Sequence, residues 1–161
     1  ASPPRIKVSA NYLNSRLAGL EAKRSGANAI ILNRDGMVSE GPGGCLFLCR
    51  DEKLVTPTIN DGILESITRN TLLTLAADAG IEVQERRVGR TELHLASEGF
   101  YCGTGQELTP INTIDGKPLS DGKPGPITRI LQSAYDDLVR GRNKKYLHWL
   151  TPVWPDESRE G

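Results

Sequence analysis

The sequence predicts an α+β domain, built on a mixed and largely antiparallel sheet with flanking helices. Short strand-like runs outnumber the helical ones, and hairpin turns such as Asp35-Gly36 separate several of them. A doubly wound parallel sheet would instead place a crossover helix between successive strands. At 161 residues the chain is long enough for one domain with a real core.

Ala1-Ser2-Pro3-Pro4 reads as a linker, because paired prolines stiffen an extended backbone and refuse helix. Asn11 to Ser25 is predicted helical: Leu13, Leu17, Ala18 and Leu20 form one apolar stripe, and Gly26 stops it. Ala29 to Leu32 and Met37 to Glu40 are predicted strands on either side of the turn Asn33 to Gly36, where Asp-Gly readily supplies positive φ. Cys45 to Cys49 is a third strand, and a turn at Arg50 to Lys53 leads into Leu54-Val55. Thr56 to Gly62 has the proline, glycine and asparagine of a loop. Ser66 to Ala79 is the next amphipathic helix, closed by Gly80. Ile81 to Glu85 returns as a strand, Thr91 to Ala96 is a short helix, and Phe100 to Cys102 is a strand that Gly103-Thr104-Gly105 breaks. Leu108 to Ile114 makes another strand, followed by the turn Asp115-Gly116-Lys117. Pro126 to Arg140 is the last long helix, ended by Gly141. In the polar tail, Leu147, Trp149, Leu150, Val153 and Trp154 are expected to dock on the body. No internal repeat is visible.

Composition removes several classes of function. The formal net charge is zero with both signs interspersed, whereas a nucleic-acid or anionic-membrane partner calls for a basic excess. No run approaches the roughly 20 apolar residues of a membrane span. The three cysteines form no disulfide framework, and no signal peptide opens the chain, so the expected setting is the reducing cytoplasm. Neither His94 nor His148 stands at ligand spacing from a cysteine, so no metal is expected.

The chemistry centres on Lys7, in the run Ile6 to Leu13, and on Glu40, in Val38-Ser39-Glu40-Gly41. A lysine amine can form an imine with an aldehyde, and a carboxylate can hold a heteroaromatic nitrogen protonated. Those are the two protein groups that a pyridoxal 5′-phosphate (PLP) enzyme needs most. Taken singly, each has an ordinary alternative: a solvated lysine near a chain end, a strand-end glutamate in water.

The surrounding motifs decide between these. Lys7-Val8-Ser9-Ala10-Asn11-Tyr12-Leu13, Glu21-Ala22, Ser39 to Gly43, Thr56-Pro57, Ile63 to Arg69, Gly80 to Val83, Gly103-Thr104, Ile114 to Gly116 and Gly125 to Thr128 follow in order along the chain. Together they resemble the large C-terminal domain of fold-type IV PLP aminotransferases, above all the branched-chain amino-acid aminotransferases. The resemblance implies that family's large-domain fold, a sheet or pseudo-barrel with flanking helices. It divides the chain into a linker remnant (residues 1–6), a PLP-binding large domain (7–145) and a C-terminal tail (146–161).

By the same resemblance Lys7 is the catalytic Schiff-base lysine, buried enough to shed its charge part of the time. Glu40 pairs with the pyridine nitrogen, and Tyr12 faces the cofactor's phenolic oxygen. Leu64 packs on the ring face, where a plain core leucine is an equal reading. Ile67 and Thr68 open a helix whose unpaired N–H groups suit a phosphate, with Gly103 and Thr104 opposite. Gly105 and Gln106 offer backbone amides to the substrate carboxylate, since glycine lets a ligand approach the main chain. The sequence departs from the family's usual asparagine at Cys45, its glycine at Ser66 and a small residue at Gln106. Cys45 and Ser66 are expected to perturb packing behind the site, and Gln106 to alter which substrates fit.

The implied activity is transamination of branched-chain L-amino acids with 2-oxoglutarate. D-amino-acid transaminase and aminodeoxychorismate lyase are the alternatives on the same fold. Family members carry a smaller domain ahead of the lysine, and its absence here is expected to leave an exposed apolar cleft and a chain of low activity on its own. A truncation, a proteolytic fragment, one half of a two-chain enzyme and a non-catalytic remnant would each account for it. Small-molecule amino and oxo acids are the expected ligands, with a homodimer or pairing with a chain that supplies the small domain.

Overall fold

The computed structural model describes residues 2–153. Among these, helix α1 (Ser9–Arg24) leads into an irregular hairpin, followed by β1 (Cys45–Arg50), β2 (Lys53–Thr56), α2 (Ile67–Asp78) and β3 (Val83–Glu85). The strands β4 (Glu98–Gly103), β5 (Glu107–Pro110), β6 (Thr113–Ile114) and β7 (Lys117–Pro118) precede α3 (Pro126–Val139). The main sheet has the order β3-β2-β1-β4-β5 and remains open, while β6 and β7 form a separate ribbon. All pairings in the main sheet are antiparallel except β2 with β3. These two are parallel because α2 carries the chain back over the sheet before β3 begins. The result is the mixed, largely antiparallel α+β architecture that the sequence predicts.

Both faces of the sheet are covered, which explains why β1 reads as the continuous apolar run Cys-Leu-Phe-Leu-Cys. Cys45, Phe47 and Cys49 point into a core shared with Leu72 and Leu75 of α2 and Leu131, Tyr135 and Leu138 of α3. Leu46 and Leu48 face the opposite core, with Val38, Val55, Val88, Leu93 and Tyr101. Phe47 and Phe100 are direct cross-strand partners whose rings stack at 5.2 Å between centroids. Burying each stabilises the fold by about 1.5–3 kcal/mol.

Helix ends follow the sequence signals. Ser66 caps α2 by accepting the Arg69 N–H at 3.3 Å. At its other end Gly80, at φ +70°, lets Ile81 N–H return to Ala76 O at 2.9 Å. That return contact is also why β3 begins at Val83 and not at Ile81. Glu98 caps α3 from the sheet: its carboxylate accepts the N–H groups of Ile127 and Thr128 and the Thr128 hydroxyl.

Other expectations need correction. The predicted strands Ala29 to Leu32 and Met37 to Glu40 form a loose hairpin with isolated bridges only, because Val38 turns its N–H to Val88 O instead of continuing the ladder. The predicted strand Leu108 to Ile114 splits after Pro110, where Ile111 N–H bonds Gly99 O at 2.7 Å and the chain turns. The α1 stripe is not buried: Leu13, Leu17 and Leu20 are 65%, 71% and 48% exposed, since no described element covers that face. In the tail it is Tyr146 that docks, inside the α2–α3 core, while Leu147, Trp149 and Val153 stay exposed. Leu150 is partly buried, and Trp154 lies outside the described residues.

Candidate functional site

The start of β1 and the end of β4 lie side by side, with Cys45 opposite Cys102. The lead-in to α2 runs across this end of the sheet, and the segment before α1 comes up beside it. Between them is a cavity of about 230 Å³. Lys7, Tyr12, Glu40, Leu64, Ile67, Gly103 and Thr104 all line it, joined by Arg5, Cys45, Glu65, Ser66 and Cys102. Residues more than ninety positions apart therefore meet at one opening.

Glu40 is the best-defined group. Its Oε2 accepts the Leu64 N–H at 3.0 Å and lies 3.9 Å from the Cys45 thiol. No described residue bonds its Oε1, which leaves one carboxylate oxygen unspent at the cavity. Burial pushes the Glu40 carboxyl above its ordinary range, and the Leu64 and Cys45 donors oppose that shift only in part.

Leu64 is tied at both main-chain groups, because its carbonyl accepts the Cys45 thiol at 3.4 Å. Behind Cys45 lies its cross-strand partner Cys102, also buried. The adjoining Cys45 thiol, together with burial, raises the Cys102 thiol far above its usual range. Groups from β1 and the α2 lead-in thus converge on one oxygen of Glu40.

The first turn of α2 supplies a different kind of group. Ser66 spends its side chain on Arg69, and the N–H groups of Ile67 and Thr68 have no protein acceptor among the described residues. Ile67 is 84% exposed at the cavity rim, whereas the Thr68 side chain is buried beneath it and is not part of the lining. Arg69 fixes this turn to the sheet: its guanidinium, 2% exposed, donates to Glu85 Oε2 at 2.6 Å and Pro57 O at 3.0 Å. Nothing in the sequence marks Arg69 as buried, since its acceptors come from the end of β2 and from β3.

Lys7 is exposed and not enclosed, because no described residue lies over it. Tyr12 is 39% exposed on the first turns of α1. Arg5 pairs with Glu65 Oε2 at 2.6 Å across the rim, linking the segment before Lys7 to the α2 lead-in. Only the proximity of these residues to Lys7 and Ser66 could have suggested that pair.

Gly105 and Gln106 stand apart from this cavity. Gln106 lines a neighbouring cavity of about 360 Å³ with Arg16, Lys23 and Tyr101, and the Gly43-Gly44 backbone is the wall common to both. Its carboxamide lies across Gly44 and Gly103, and a Cβ at Gly44 would run into it and into Cys102 O. Gly105 faces open space.

Residues 1–114 match the family described as amino-transferase class IV. A probable branched-chain-amino-acid aminotransferase of Aquifex aeolicus is 46% identical over 154 residues, which is 94% of this chain and 50% of that protein. The branched-chain amino acid aminotransferase of Thermobaculum terrenum, solved in its PLP form, is 52% identical with a TM-score of 0.92, over 96% of this chain and 51% of that one. The branched-chain aminotransferase of the archaeon Thermoproteus uzoniensis, solved with norvaline, is 45% identical with a TM-score of 0.91, over 94% of this chain and 50% of its own. The chain spans about half the length of the curated relatives it matches.

Proposed function

The chain belongs to the amino-transferase class IV family, and on that premise we propose that it is the PLP-binding part of an aminotransferase for branched-chain L-amino acids, with 2-oxoglutarate as acceptor. The observation that carries this reading is the convergence of Lys7, Tyr12, Glu40, Leu64, Ile67, Gly103 and Thr104 on one cavity. The names of its relatives support the substrate class.

The residues present fit the cofactor. Glu40 offers an unpaired carboxylate oxygen, which suits a protonated pyridine nitrogen. The free N–H groups of Ile67 and Thr68 suit a phosphate at a helix amino terminus, with the Thr104 hydroxyl and the Gly103 backbone on the facing side. When bound, PLP supplies an aldehyde that exchanges amines and a ring that withdraws electrons from the substrate α-carbon.

The chain's own residues do the rest. Lys7 holds the cofactor through its amine and moves the proton at the substrate α-carbon. Glu40 accepts the ring N–H and keeps it protonated. Tyr12 donates to the phenolic oxygen, and Leu64 shields one ring face from water. The backbone N–H groups of Gly105 and Gln106 receive the substrate carboxylate. In this reading residues 7–145 are the cofactor-binding unit, with residues 1–6 as linker and a tail anchored by Tyr146. Pairing with a second copy, or with a chain carrying the family's smaller domain, closes the cavity in a cytoplasmic enzyme.

Borohydride reduction in the presence of PLP, followed by peptide mass analysis, tests the reading. The expected result is one phosphopyridoxyl group on Lys7, lost in Lys7→Ala. Labelling spread over surface lysines, or none when the complementary domain is supplied, would sink it. Offering the complete enzyme leucine, D-alanine and aminodeoxychorismate in parallel tests the substrate class, and preference for either of the last two overturns it.

A further inference from the structure

We propose that Cys45 is a positioning residue for Glu40, acting through the main chain of Leu64, so that Oε1 alone is presented to the cavity. The proposal deepens the PLP reading, on which its functional consequence rests, but its geometry stands independently. The Cys45 sulfur lies 3.4 Å from Leu64 O and 3.9 Å from Glu40 Oε2, and Leu64 N–H donates to the same Oε2 at 3.0 Å. One thiol proton is therefore shared between the peptide that holds the carboxylate and the carboxylate itself. Cys102, the cross-strand partner of Cys45 on β4, backs this thiol from within the sheet.

The consequence is a carboxylate fixed in direction by weak donors. A thiol is a poor hydrogen-bond donor, so Oε2 is oriented while little of its negative charge is neutralised. Glu40 thereby keeps its basicity for a cationic N–H arriving at Oε1. The titratable and charged groups around it are Cys45 on β1, Cys102 on β4, Lys7 just before α1, Tyr12 in its first turns, and the Arg5–Glu65 pair on the rim. Apart from Cys45, none of these bonds the Glu40 carboxylate.

The test is a carboxyl-carbon NMR titration of Glu40 in ligand-free protein, comparing wild type with Cys45→Val and Cys45→Ser. Removing the thiol donor with the similarly sized valine is expected to move the Glu40 midpoint upward, and serine, which keeps a donor, is expected to restore it. An unchanged midpoint in Cys45→Val overturns the proposal. PLP affinity, measured in parallel on protein with its cavity completed, is expected to fall roughly three- to tenfold in Cys45→Val, the worth of one modest hydrogen bond, and to recover in Cys45→Ser. A shifted Glu40 titration with no PLP binding by any variant would uphold the positioning role and sink the cofactor reading instead.

Discussion

Glu98 at the start of β4 accepts the Thr128 N–H at 2.8 Å and the Thr128 hydroxyl at 2.7 Å, so a strand side chain caps the amino terminus of α3. The approach is close enough to dictate the residue at 125, because a Cβ built on Gly125 would run into the Glu98 carboxyl. Glu98→Ala leaves the Ile127 and Thr128 N–H groups without their acceptor and is expected to cost about 1–3 kcal/mol. Gly125→Ala displaces the same carboxylate and is expected to cost a comparable amount. Urea denaturation measures both. If the double variant loses no more than either single one, the two changes act on one contact.

Glu40→Gln separates stability from function. The folded state raises the proton affinity of Glu40, so it binds more protons than the unfolded state at pH values between the ordinary glutamate value of 4.5 and the raised one. The wild type therefore loses stability as pH climbs through that window, and below 4.5 the penalty is absent. Glutamine never ionises. The variant is expected to unfold at higher urea than wild type at neutral pH, with no such advantage at about pH 4, while its PLP affinity falls.

Arg69 is buried beneath the first turn of α2 and donates to Glu85 and Pro57 O. Arg69→Met removes a buried cation from a half-exposed carboxylate and leaves that carbonyl short of a donor. A loss of roughly 2–4 kcal/mol is expected from thermal or urea unfolding. Arg69→Lys is expected to recover only part of it, because an ammonium does not reproduce the guanidinium fork.

All three cysteines are buried and free. Burial, with the negative Glu98 nearby, pushes the Cys49 thiol up to about 12. Cys102 is raised as well, by the adjoining Cys45 thiol and its burial. Since the thiolate is the reactive form, native protein is expected to resist a disulfide reagent at about pH 8, and urea is expected to release all three thiols. Rapid native labelling of any one would contradict its burial.

Much of the fold was legible because its local signals agree with its packing. The Ser66 cap and Gly80 stop bracket α2, and Gly26, at φ +67°, closes α1 in the same way. Strand limits were less legible. The break after Pro110 depends on where Ile111 finds an acceptor on β4, a partner that no window of sequence contains. In the site, Lys7, Glu40 and the α2 lead-in stand in contiguous motifs and could be named. The Cys45 contacts to Leu64 and Glu40 could not, because they join residues 19 and 5 positions apart through the fold. The direction of the Gln106 side chain is equally hidden from sequence: it shares a loop with Gly103 and Thr104, yet the main chain turns it over Gly44 into the adjoining cavity.

Tyr12 is mounted on α1, and Lys7 just precedes it, at the least buried helix among the described residues. Helix α1 is 16 residues long and has no buried residue, and a helix of that length is marginal in water without tertiary support. The opposite wall of the cavity includes Cys45, Cys102 and Gly103 of the sheet, which is covered on both faces. The amine that would grip the coenzyme thus stands beside a helix with no buried residue, opposite a well-packed sheet. Amide exchange should be fastest along α1, and slow there once a ligand or an apposed surface braces it.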